Sequence, residues 1–369
     1  MQNIFDSLKV IELASVLAGP SVGQFFAELG AEVIKVENPH TGGDVTRSWS
    51  LLGENPEQGV TAYFSAVNAG KRSIQLDLKS SEDIKTLHGL ISEADLLITS
   101  FKPGDAEKLG LAYEQLKGSY PQLIYAEISG YGEQNAKVGY DAVLQAETGF
   151  MSINGLPNGE SLKMPVALID ILAAHQLKEA VLLAYIHRMK RAKGSKVSVS
   201  LFDAAVSSLA NQATNFLVGG KVPQKMGAEH PNIAPYGKLY TCSEGKQLIL
   251  AVGNDRQFSS LCKVLGLEEL PKMDKYATNV NRVKNRGTLN EILQEAIQKF
   301  AITDLLAQLE SEKVPAGKLN TIDEVFSLEE SQKLMIKDEQ GEVVGLRNFI
   351  ASVDFLSKTS HISPPPPFV

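Results

Sequence analysis

Short apolar runs alternate with amphipathic stretches along the first 200 residues. Apolar runs at 8–14, 31–37 and 73–78 predict strands, because they are short and rich in β-branched residues and Leu. The stretches at 20–30 and 80–94 have the apolar spacing and the end signals of helices. A strand, a helix and a second strand in this order form a parallel unit, so the pattern predicts a parallel sheet.

The alternation continues beyond residue 94 with further elements of both kinds. The apolar runs lack the polar alternation of a half-exposed sheet, which indicates a sheet covered on both faces. Residues 1–200 are therefore interpreted mostly as a doubly wound α/β layer. The further predicted strands are 95–101, 123–129 and 197–201, and the further predicted helices are 106–117, 170–191 and 202–217.

The composition changes at 219–237, where Gly and Pro are frequent and a linker or domain boundary is expected. A second irregular stretch is predicted at 314–320, and the Pro-rich residues 362–369 are expected to be extended. A smaller α/β unit is predicted between the two irregular stretches. Its elements are a strand at 247–253 and helices at 256–266 and 290–311.

Composition and charge argue against several classes of protein. The 369 residues carry a net charge of −7, which does not suit nucleic-acid binding as the main task, because phosphates require a basic face. The chain shows no signal-peptide pattern and no apolar run of the roughly 18 residues that a membrane span requires. Cys242 and Cys262 form neither a CxxC pair nor a zinc motif, so no metal is expected and the cytoplasm is the expected location.

The first turn, ASVLAGPSVG at 14–23, tests whether the fold binds NAD. A dinucleotide-binding turn has the spacing GxGxxG, whereas this turn has one Gly-Pro pair and a later Gly23. Pro20 also lacks the backbone N–H that would bind a phosphate. Glu37, at the end of the second strand, is weak evidence by itself. The turn therefore does not favour NAD.

A series of longer stretches occurs in an order that is typical of one enzyme family. They are 13–39 (LASVLAGPSVGQFFAELGAEVIKVENP), 42–49 (GGDVTRSW), 68–78 (NAGKRSIQLDL), 100–111 (SFKPGDAEKLGL), 120–132 (YPQLIYAEISGYG), 140–150 (YDAVLQAETGF) and 230–245 (HPNIAPYGKLYTCSEG). These stretches resemble the family III CoA-transferases, the group of carnitine CoA-transferase and formyl-CoA transferase. The resemblance extends over nearly the whole chain.

The resemblance implies an α/β fold with a large Rossmann-like domain, built from both chain ends around a parallel sheet, and a smaller α/β domain. Residues 1–200 are expected to form the large CoA-binding domain, and 201–225 a helical linker. Residues 226–312 are expected to form the small domain. Residues 313–369 are expected to return to the large domain and complete it. Members of this family form interlocked homodimers, so an interlocked homodimer is expected.

The resemblance further implies that CoA moves from an acyl-CoA donor to a free carboxylate acceptor through covalent aspartyl intermediates. Asp170 matches the position of the family's nucleophile, and Tyr140 and Asp141 match a Tyr-Glu pair beside the reacting carbonyl. The CoA thioester is then a substrate, and no tightly bound cofactor is expected. A compatible local role for Asp170 is that of a helix N-cap, because Asp is favoured there.

CoA carries a 3′-phosphate and a diphosphate, so its site needs cations and backbone amides. By resemblance, Lys71 and Arg72 belong to the nucleotide end of the pocket. Lys102 takes the place of an Arg, although Lys lacks the bidentate phosphate geometry of Arg. The positions that match contacts with adenine, ribose and pantetheine are Lys35, Asn38, Leu17 and Ala18.

Two departures from the family pattern concern the substrate. Leu17 stands where formyl-CoA transferases have Gln before Ala-Gly-Pro, and the region 225–237 has no run of consecutive glycines. Formyl-CoA and oxalate are therefore not favoured as substrates. By resemblance, small dicarboxylates such as succinate are candidate substrates, because the family often uses them, and carnitine-like, aromatic and bile-acid carboxylates remain open as well.

Two other functions remain open. An α-methylacyl-CoA racemase uses a His in a Gly-His-Asp segment, where this chain has Gly139-Tyr140-Asp141. Tyrosine, with an unperturbed pKa of about 10, is a poor base near neutrality, so transfer is favoured over epimerisation. A non-catalytic CoA-binding homologue would not need Asp170, whose presence is weak evidence against that function.

Overall fold

The computed structural model describes residues 4–56, 59–356 and 362–368. Its elements form two compact units, one made of the described residues of Met1–Phe150, Lys163–Val218 and Glu329–Val369, the other of Met151–Leu162 and Gly219–Leu328. The strands are β1 (Lys9–Leu13), β2 (Glu32–Glu37), β3 (Arg72–Gln75), β4 (Leu96–Thr99), β5 (Ile124–Ser129), β6 (Lys196–Ser200), β7 (Tyr236–Thr241), β8 (Gln247–Ala251), β9 (Ala316–Lys318), β10 (Met335–Lys337) and β11 (Val343–Leu346). The α-helices are α1 (Ala18–Glu28), α2 (Ala62–Ser65), α3 (Ser81–Ser92), α4 (Asp105–Lys108), α5 (Tyr113–Leu116), α6 (Asp141–Glu147), α7 (Phe150–Ile153), α8 (Leu168–Arg191), α9 (Leu201–Ser207), α10 (Ala210–Leu217), α11 (Asp255–Val264), α12 (Asn279–Lys284), α13 (Arg286–Ile297), α14 (Ile302–Ser311), α15 (Ile322–Ser327) and α16 (Glu329–Gln332).

The first unit is built on a parallel sheet with the strand order β3-β2-β1-β4-β5-β6. In β1, Val10 pairs with Val33 of β2 on one side and with Leu96 of β4 on the other. The strand order reverses between β1 and β4, and the carboxyl ends of strands at such a point border a ligand-binding crevice. This sheet confirms the Rossmann-like α/β fold that the sequence predicts.

Helices cover both faces of the sheet, as the continuous apolar runs predict. On one face, α1 and α8 pack against the strands and bury Val22 and Leu177 against Val10. On the other face, α3 buries Leu87 against Leu97 of β4. Burying a side chain of this size stabilises the fold by about 1.5–3 kcal/mol, so both layers contribute strongly to the stability of the unit.

The second unit is also α/β and contains the antiparallel sheet β7-β8-β9. Leu250 of β8 and Leu293 of α13 are buried in its core. Arg282 of α12 is buried as well, and its guanidinium donates to the Asp255 carboxylate at 2.6 Å and to the Ala234 carbonyl at 2.9 Å. The smaller α/β unit predicted after the Gly/Pro-rich stretch is therefore present, with its buried charge paired.

Several predicted helix boundaries are wrong. The helix predicted at 106–117 is divided into α4 and α5, because Gly110 between them adopts a φ of +72°. The helix predicted at 202–217 is divided into α9 and α10. The chain is irregular where the second of these helices begins, at Ala210, whose φ of +47° lies in the left-handed region.

The later part of the chain needs similar corrections. The helix predicted at 290–311 is divided into α13 and α14, because the backbone is extended at Ala301. The irregular stretch predicted at 314–320 contains β9, which pairs with β8. The end that is predicted to be extended has neither helix nor strand in its described residues, 362–368, and Val369 lies outside them.

The predicted domain boundaries at 200, 225 and 312 stay a prediction. In the structure, residues 201–218 belong to the first unit and residues 313–328 to the second. The helices α9 and α10, which the resemblance places in a linker, are therefore part of the unit that contains the parallel sheet.

Helix α8 carries apolar side chains in two environments. Leu177 is fully buried against the sheet, whereas Leu183 is 68% exposed. The last turn contains Arg188, Lys190 and Arg191, whose positive charges suit the negative end of the helix dipole. Neither α8 nor another helix in the described ranges combines the length and apolar character that crossing a membrane requires.

The same truncation at these two positions should have very different effects. We expect Leu177→Ala to lower the free energy of unfolding by about 2–5 kcal/mol, because it leaves a cavity in the core. Leu183→Ala should change it by less than about 0.5 kcal/mol, because the side chain is solvated. Urea unfolding of both variants measures the difference. Equal losses would contradict the exposure of Leu183 and would mean that this face is covered in solution.

Candidate active site

The chain leaves β1 through a tight turn at 14–17 and enters α1. Gly19 is required at the start of α1, because a Cβ there would overlap the Cβ of Ala14. Val16 has a φ of +71°, in the left-handed region that β-branched residues rarely occupy. Such a conformation persists only where surrounding contacts hold it, and it is often found at functional sites.

Two adjoining pockets lie at the carboxyl ends of the parallel strands. The larger, of about 780 Å³, is bordered by residues that follow β1, β2, β3 and β4. The smaller, of about 210 Å³, is bordered by the turn after β1, by residues that follow β4 and β5, and by Asp170. Ser15 and Phe101 border both pockets. The pockets therefore follow the crevice that the strand order predicts.

Asp170 lies in the first turn of α8 and faces the smaller pocket. Ala167 is the N-cap of this helix, so the interpretation of Asp170 as an N-cap is wrong. The side chain is only 7% exposed. Burial, and next the negative charge of Asp141, raise the pKa of Asp170 to about 7. Asp170 is therefore a carboxyl group whose ionisation falls in the physiological range.

Asp141 holds the start of α8 in place from a neighbouring helix. Its Oδ1 accepts the backbone N–H of Ile169 at 2.8 Å, and its Oδ2 accepts Nε2 of Gln145 at 2.8 Å. Gln145 is buried and also bonds the backbone of Met164, by donating to its carbonyl and accepting its N–H. Asp141 thus acts as a cap for α8, one residue before Asp170.

Tyr140 precedes Asp141, is 57% exposed and borders the smaller pocket. The segment that carries it packs on the end of β5 through two glycines. A Cβ on Gly139 would overlap the Cα of Gly130, and a Cβ on Gly130 would lie 2.8 Å from the Cα of Gly139. This contact brings the predicted Tyr140 and Asp141 to the same pocket as Asp170.

Four charged side chains lie buried beneath the first turn, and we call Glu12, Lys35, Asp44 and Lys71 the buried charge cluster. Lys35 Nζ lies 2.9 Å from Glu12 and 2.8 Å from Asp44, and Lys71 Nζ lies 2.8 Å from Glu12. Burial lowers the pKa of Lys71 to about 8, although Glu12 opposes the shift. For Lys35, burial acts in the same direction, but the two carboxylates outweigh it and raise its pKa.

The residues predicted to bind CoA lie in different environments. Ala18 and Lys102 border the smaller pocket, and Asn38 borders the larger one. Leu17 is the N-cap residue of α1 and is not among the described residues that border either pocket. Arg72 is exposed and pairs with Glu32 at 2.7 Å, whereas Lys35 and Lys71 belong to the buried charge cluster.

Some residues that border or support the site were not predicted from the sequence. Gln145 lies four residues after Asp141, a helical spacing that allows the two side chains to meet, so a signal existed. Lys137 borders the smaller pocket and pairs with Glu147 at 2.5 Å, whereas Lys79 and Lys108 border the larger pocket. No spacing rule distinguishes these lysines from other surface lysines.

Glu37, the acidic residue at the end of β2, is part of the protein's own framework. Its carboxylate accepts from Arg47 at 2.6 and 2.8 Å and from Ser73 at 2.5 Å. Burial opposes its ionisation, but the hydrogen bonds from Arg47 and Ser73 outweigh burial and lower its pKa. These contacts leave Glu37 engaged with other side chains rather than turned toward a ribose.

The arrangement suits chemistry at a carbonyl carbon. A carboxylate is a nucleophile once it is ionised, and the N-terminus of α8 favours its negative charge. The described residues contain no group of three or more His, Cys, Asp or Glu side chains placed to hold a metal ion. The parallel sheet, the crevice and the buried carboxylate together define a Rossmann-like α/β protein with a candidate acyl-transfer site.

Comparisons with known proteins identify the family. The model of CoA-transferase family III matches residues 5–369, and the chain belongs to this family. It is therefore an enzyme that transfers CoA between an acyl-CoA and a carboxylate, which confirms the resemblance.

Individual relatives agree with this assignment. A succinate–glutarate CoA-transferase from Agrobacterium fabrum is 41% identical over 91% of this chain and 86% of the relative. The human succinyl-CoA:glutarate CoA-transferase is 34% identical over 89% of this chain and 74% of the relative. A crystal structure of a CaiB/BaiF family protein from Brucella suis has a TM-score of 0.85 at 42% identity and covers 100% of this chain and 97% of that chain.

The raised pKa of Asp170 predicts a pH-dependent cost of folding. Its pKa is about 7 in the folded chain against an ordinary value of 3.8, so the folded state binds the proton more tightly. Stability should fall as the pH rises from about 4 to 7 and then level off. Asp170→Asn should remove this loss and be more stable than the wild type by up to about 4 kcal/mol at pH 8.

Urea unfolding between pH 4 and pH 8 measures this effect. Asp304→Asn is a matched control, because Asp304 is an exposed acidic residue in the first turn of another helix. The control should keep the pH dependence of the wild type. If the stability of Asp170→Asn had the same pH dependence as that of the wild type, the pKa of Asp170 would not be raised in the folded chain.

Proposed function

We propose that this enzyme transfers CoA from an acyl-CoA to a free carboxylate through covalent intermediates on Asp170. The observation that carries the proposal is the buried Asp170 carboxyl in the smaller pocket, beside the turn that also borders the larger pocket. The chain belongs to CoA-transferase family III, and in such an enzyme a nucleophile in this pocket could attack the thioester carbonyl. No other carboxyl among the described residues that border the smaller pocket is as deeply buried as Asp170; Asp141 is bonded to the start of α8.

The first half of the proposed reaction uses Asp170 as the nucleophile. The Asp170 carboxylate attacks the thioester carbonyl, the carbon–sulfur bond breaks, and CoA leaves as a thiolate with an enzyme–acyl anhydride behind it. The thiolate then attacks the aspartyl carbonyl of the anhydride. The donor acid leaves as a free carboxylate, and an aspartyl-CoA thioester remains on the enzyme.

The second half reverses these steps with the acceptor. The acceptor carboxylate attacks the aspartyl-CoA thioester and displaces the thiolate, which forms a second anhydride. The thiolate then attacks the acceptor carbonyl, which yields the new acyl-CoA and frees Asp170. Because every intermediate is hydrolysable, exclusion of water from the smaller pocket preserves the thioester energy.

The two pockets suggest how CoA lies in the site. We assign the thioester to the smaller pocket and the nucleotide to the larger one, with Ala18, Lys102 and Asn38 as contacts. Leu17 borders neither pocket, and we assign it a contact with CoA only through the backbone at the start of α1. Tyr140 lies beside the reacting carbonyl, and Asp141 supports the helix that carries the nucleophile.

The other cationic residues predicted to bind CoA, Lys35, Lys71 and Arg72, are paired with carboxylates in the structure. Lys35 and Lys71 would have to exchange contacts within the buried charge cluster to reach CoA, and Arg72 would have to leave Glu32. Lys79 and Lys108 border the larger pocket and are alternative cations for the nucleotide phosphates.

For the substrates, we propose dicarboxylates of four or five carbons. Relatives at 41% and 34% identity are named for succinate and glutarate. Lys102 borders the smaller pocket and supplies positive charge for a second carboxylate; Lys137 also borders it but would have to leave Glu147 to do so. We further propose a cytoplasmic enzyme that acts as an interlocked homodimer and uses no tightly bound cofactor.

Removal of the nucleophile should abolish transfer. We expect Asp170→Ala to lower kcat by at least about 10³-fold while CoA still binds, because the side chain acts on the carbonyl rather than on the nucleotide. Formation of new CoA esters is followed by mass spectrometry, and CoA binding by calorimetry. Glu179→Ala, an exposed carboxylate on the same helix, is the control and should transfer normally. Hydroxylamine should trap the acyl-enzyme as a hydroxamate on Asp170; a modification elsewhere assigns the nucleophile to another residue.

The proposed substrates predict a preference among acceptors. With succinyl-CoA as donor, glutarate should be used at least about tenfold better in kcat/KM than butyrate or oxalate, because only a dicarboxylate of the right length meets both Asp170 and a lysine. Loss of α-deuterium from a 2-methylacyl-CoA without transfer would identify a racemase instead. Binding of CoA with neither reaction would identify a non-catalytic homologue.

A further inference from the structure

The turn between β1 and α1 is held in a conformation that its own sequence disfavours. Val16 has a φ of +71°, and a residue with a Cβ disfavours the left-handed region by roughly tenfold or more. The turn nevertheless forms walls of the site: Ser15 borders both pockets, and Val16, Ala18 and Gly19 border the smaller one. Contacts from elsewhere in the chain must therefore select this shape.

Those contacts come from one ion pair. The backbone N–H of Val16 donates to the Asp44 carboxylate, with both oxygens at 3.2 Å. Lys35 Nζ donates to the carbonyl of Ala14 at 2.8 Å. Lys35 and Asp44 are themselves paired at 2.8 Å. The cation thus holds the carbonyl on one side of Ser15, and the anion holds the amide on the other side.

The rest of the buried charge cluster anchors this pair and the helix that follows. Glu12 on β1 binds both lysines, and Lys71 donates to the carbonyl of Pro20 at 2.8 Å in the first turn of α1. Gly23 of α1 leaves room for this arrangement, because a Cβ on Gly23 would overlap Glu12 Oε2. The cluster therefore contacts two backbone groups of the turn, at Ala14 and Val16, and one of α1, at Pro20.

The cluster has no evident use as a set of substrate ligands. Glu12, Lys35 and Lys71 border neither pocket, and each is at most 3% exposed. Asp44 borders the larger pocket, but it accepts from Val16, from Lys35 and from both N–H and Oγ1 of Thr46. Buried ion pairs often contribute little net stability, so a role in holding one specific conformation is the more economical explanation.

We propose that Asp44 and Lys35 are positioning residues that keep Val16 in the left-handed conformation and thereby set the wall shared by the two pockets. Neither residue touches the reacting atoms; both act through the backbone of the turn. The expected effect on turnover rests on the proposed function, because a displaced wall misaligns the thioester with Asp170.

The test weakens the contact with Asp44 and then replaces Val16 by Gly or by Ala. These two replacements differ in whether residue 16 has a Cβ. Asp44→Asn should lower kcat for CoA transfer by about tenfold, because the clamp on the turn is weakened. Adding Val16→Gly should restore several-fold of this loss, because glycine enters the left-handed region as readily as the right-handed one. Adding Val16→Ala should not, because alanine also removes the valine side chain from the pocket but retains the Cβ.

Leu87→Val controls for a general loss of stability, since Leu87 is buried on the opposite face of the sheet and borders neither pocket. It should lower the unfolding temperature without a comparable loss of kcat. Equal turnover of the two double variants, which combine Asp44→Asn with Val16→Gly or with Val16→Ala, would overturn the proposal, and so would full turnover in Asp44→Asn. Isothermal titration of CoA should give the same ranking of variants, so the proposal stays testable even if no transfer is detected and the proposed function fails.

A second comparison applies if Asp44→Asn does not fold. In the wild-type background, Val16→Gly should be at least as stable as Val16→Ala, because only glycine tolerates a φ of +71° without strain. At an ordinary position the order is reversed, since glycine loses more conformational freedom on folding. Thermal unfolding of the two single variants gives the order, and the reversed order would contradict the strain that the proposal requires.

Discussion

Two buried lysines and two buried carboxylates meet beneath the turn that joins β1 to α1. Their charges come from four separate places: Glu12 on β1, Lys35 on β2, Asp44 after β2, and Lys71 just before β3. In a medium of low polarity, loss of one member leaves an uncompensated charge, which costs several kcal/mol. The cluster therefore permits few alternative arrangements of these segments, and both pockets inherit their shape from it.

A second group of polar contacts, made by Asp141 and Gln145, supports the smaller pocket. Asp141 and Gln145 hold the backbone that leads into α8, and this places Asp170 at the pocket rather than in solvent. The same contact brings the negative charge of Asp141 near Asp170 and adds to the effect of burial on its pKa. Asp141 thus affects the position of the candidate nucleophile and, after burial, also its ionisation. The glycine contact between Gly130 and Gly139 gives this wall of the pocket its close approach to the sheet.

Local patterns predicted much of the fold but less of the site. The apolar runs predicted β1 to β6, and the signal is continuous in the central strands β1, β2, β4 and β5, which are largely buried on both faces. The helix ends near Gly110 and Ala210 were not predicted, because they depend on residues that adopt the left-handed conformation in the folded chain. Gly23 does not belong to a nucleotide-binding turn. A glycine is needed there because a Cβ would overlap the Glu12 carboxylate.

The sequence by itself determined the alternation of strands and helices and, through its resemblance to a family, singled out Asp170 as the candidate nucleophile. Only the tertiary structure decided which charged residues are exposed and which are partners. By resemblance, Lys35 and Lys71 match positions that contact CoA, but in the structure both pair with Glu12, which lies 23 and 59 residues away along the chain. Burial and Coulomb interactions depend on distances between such remote segments, and no local pattern of residues contains those distances.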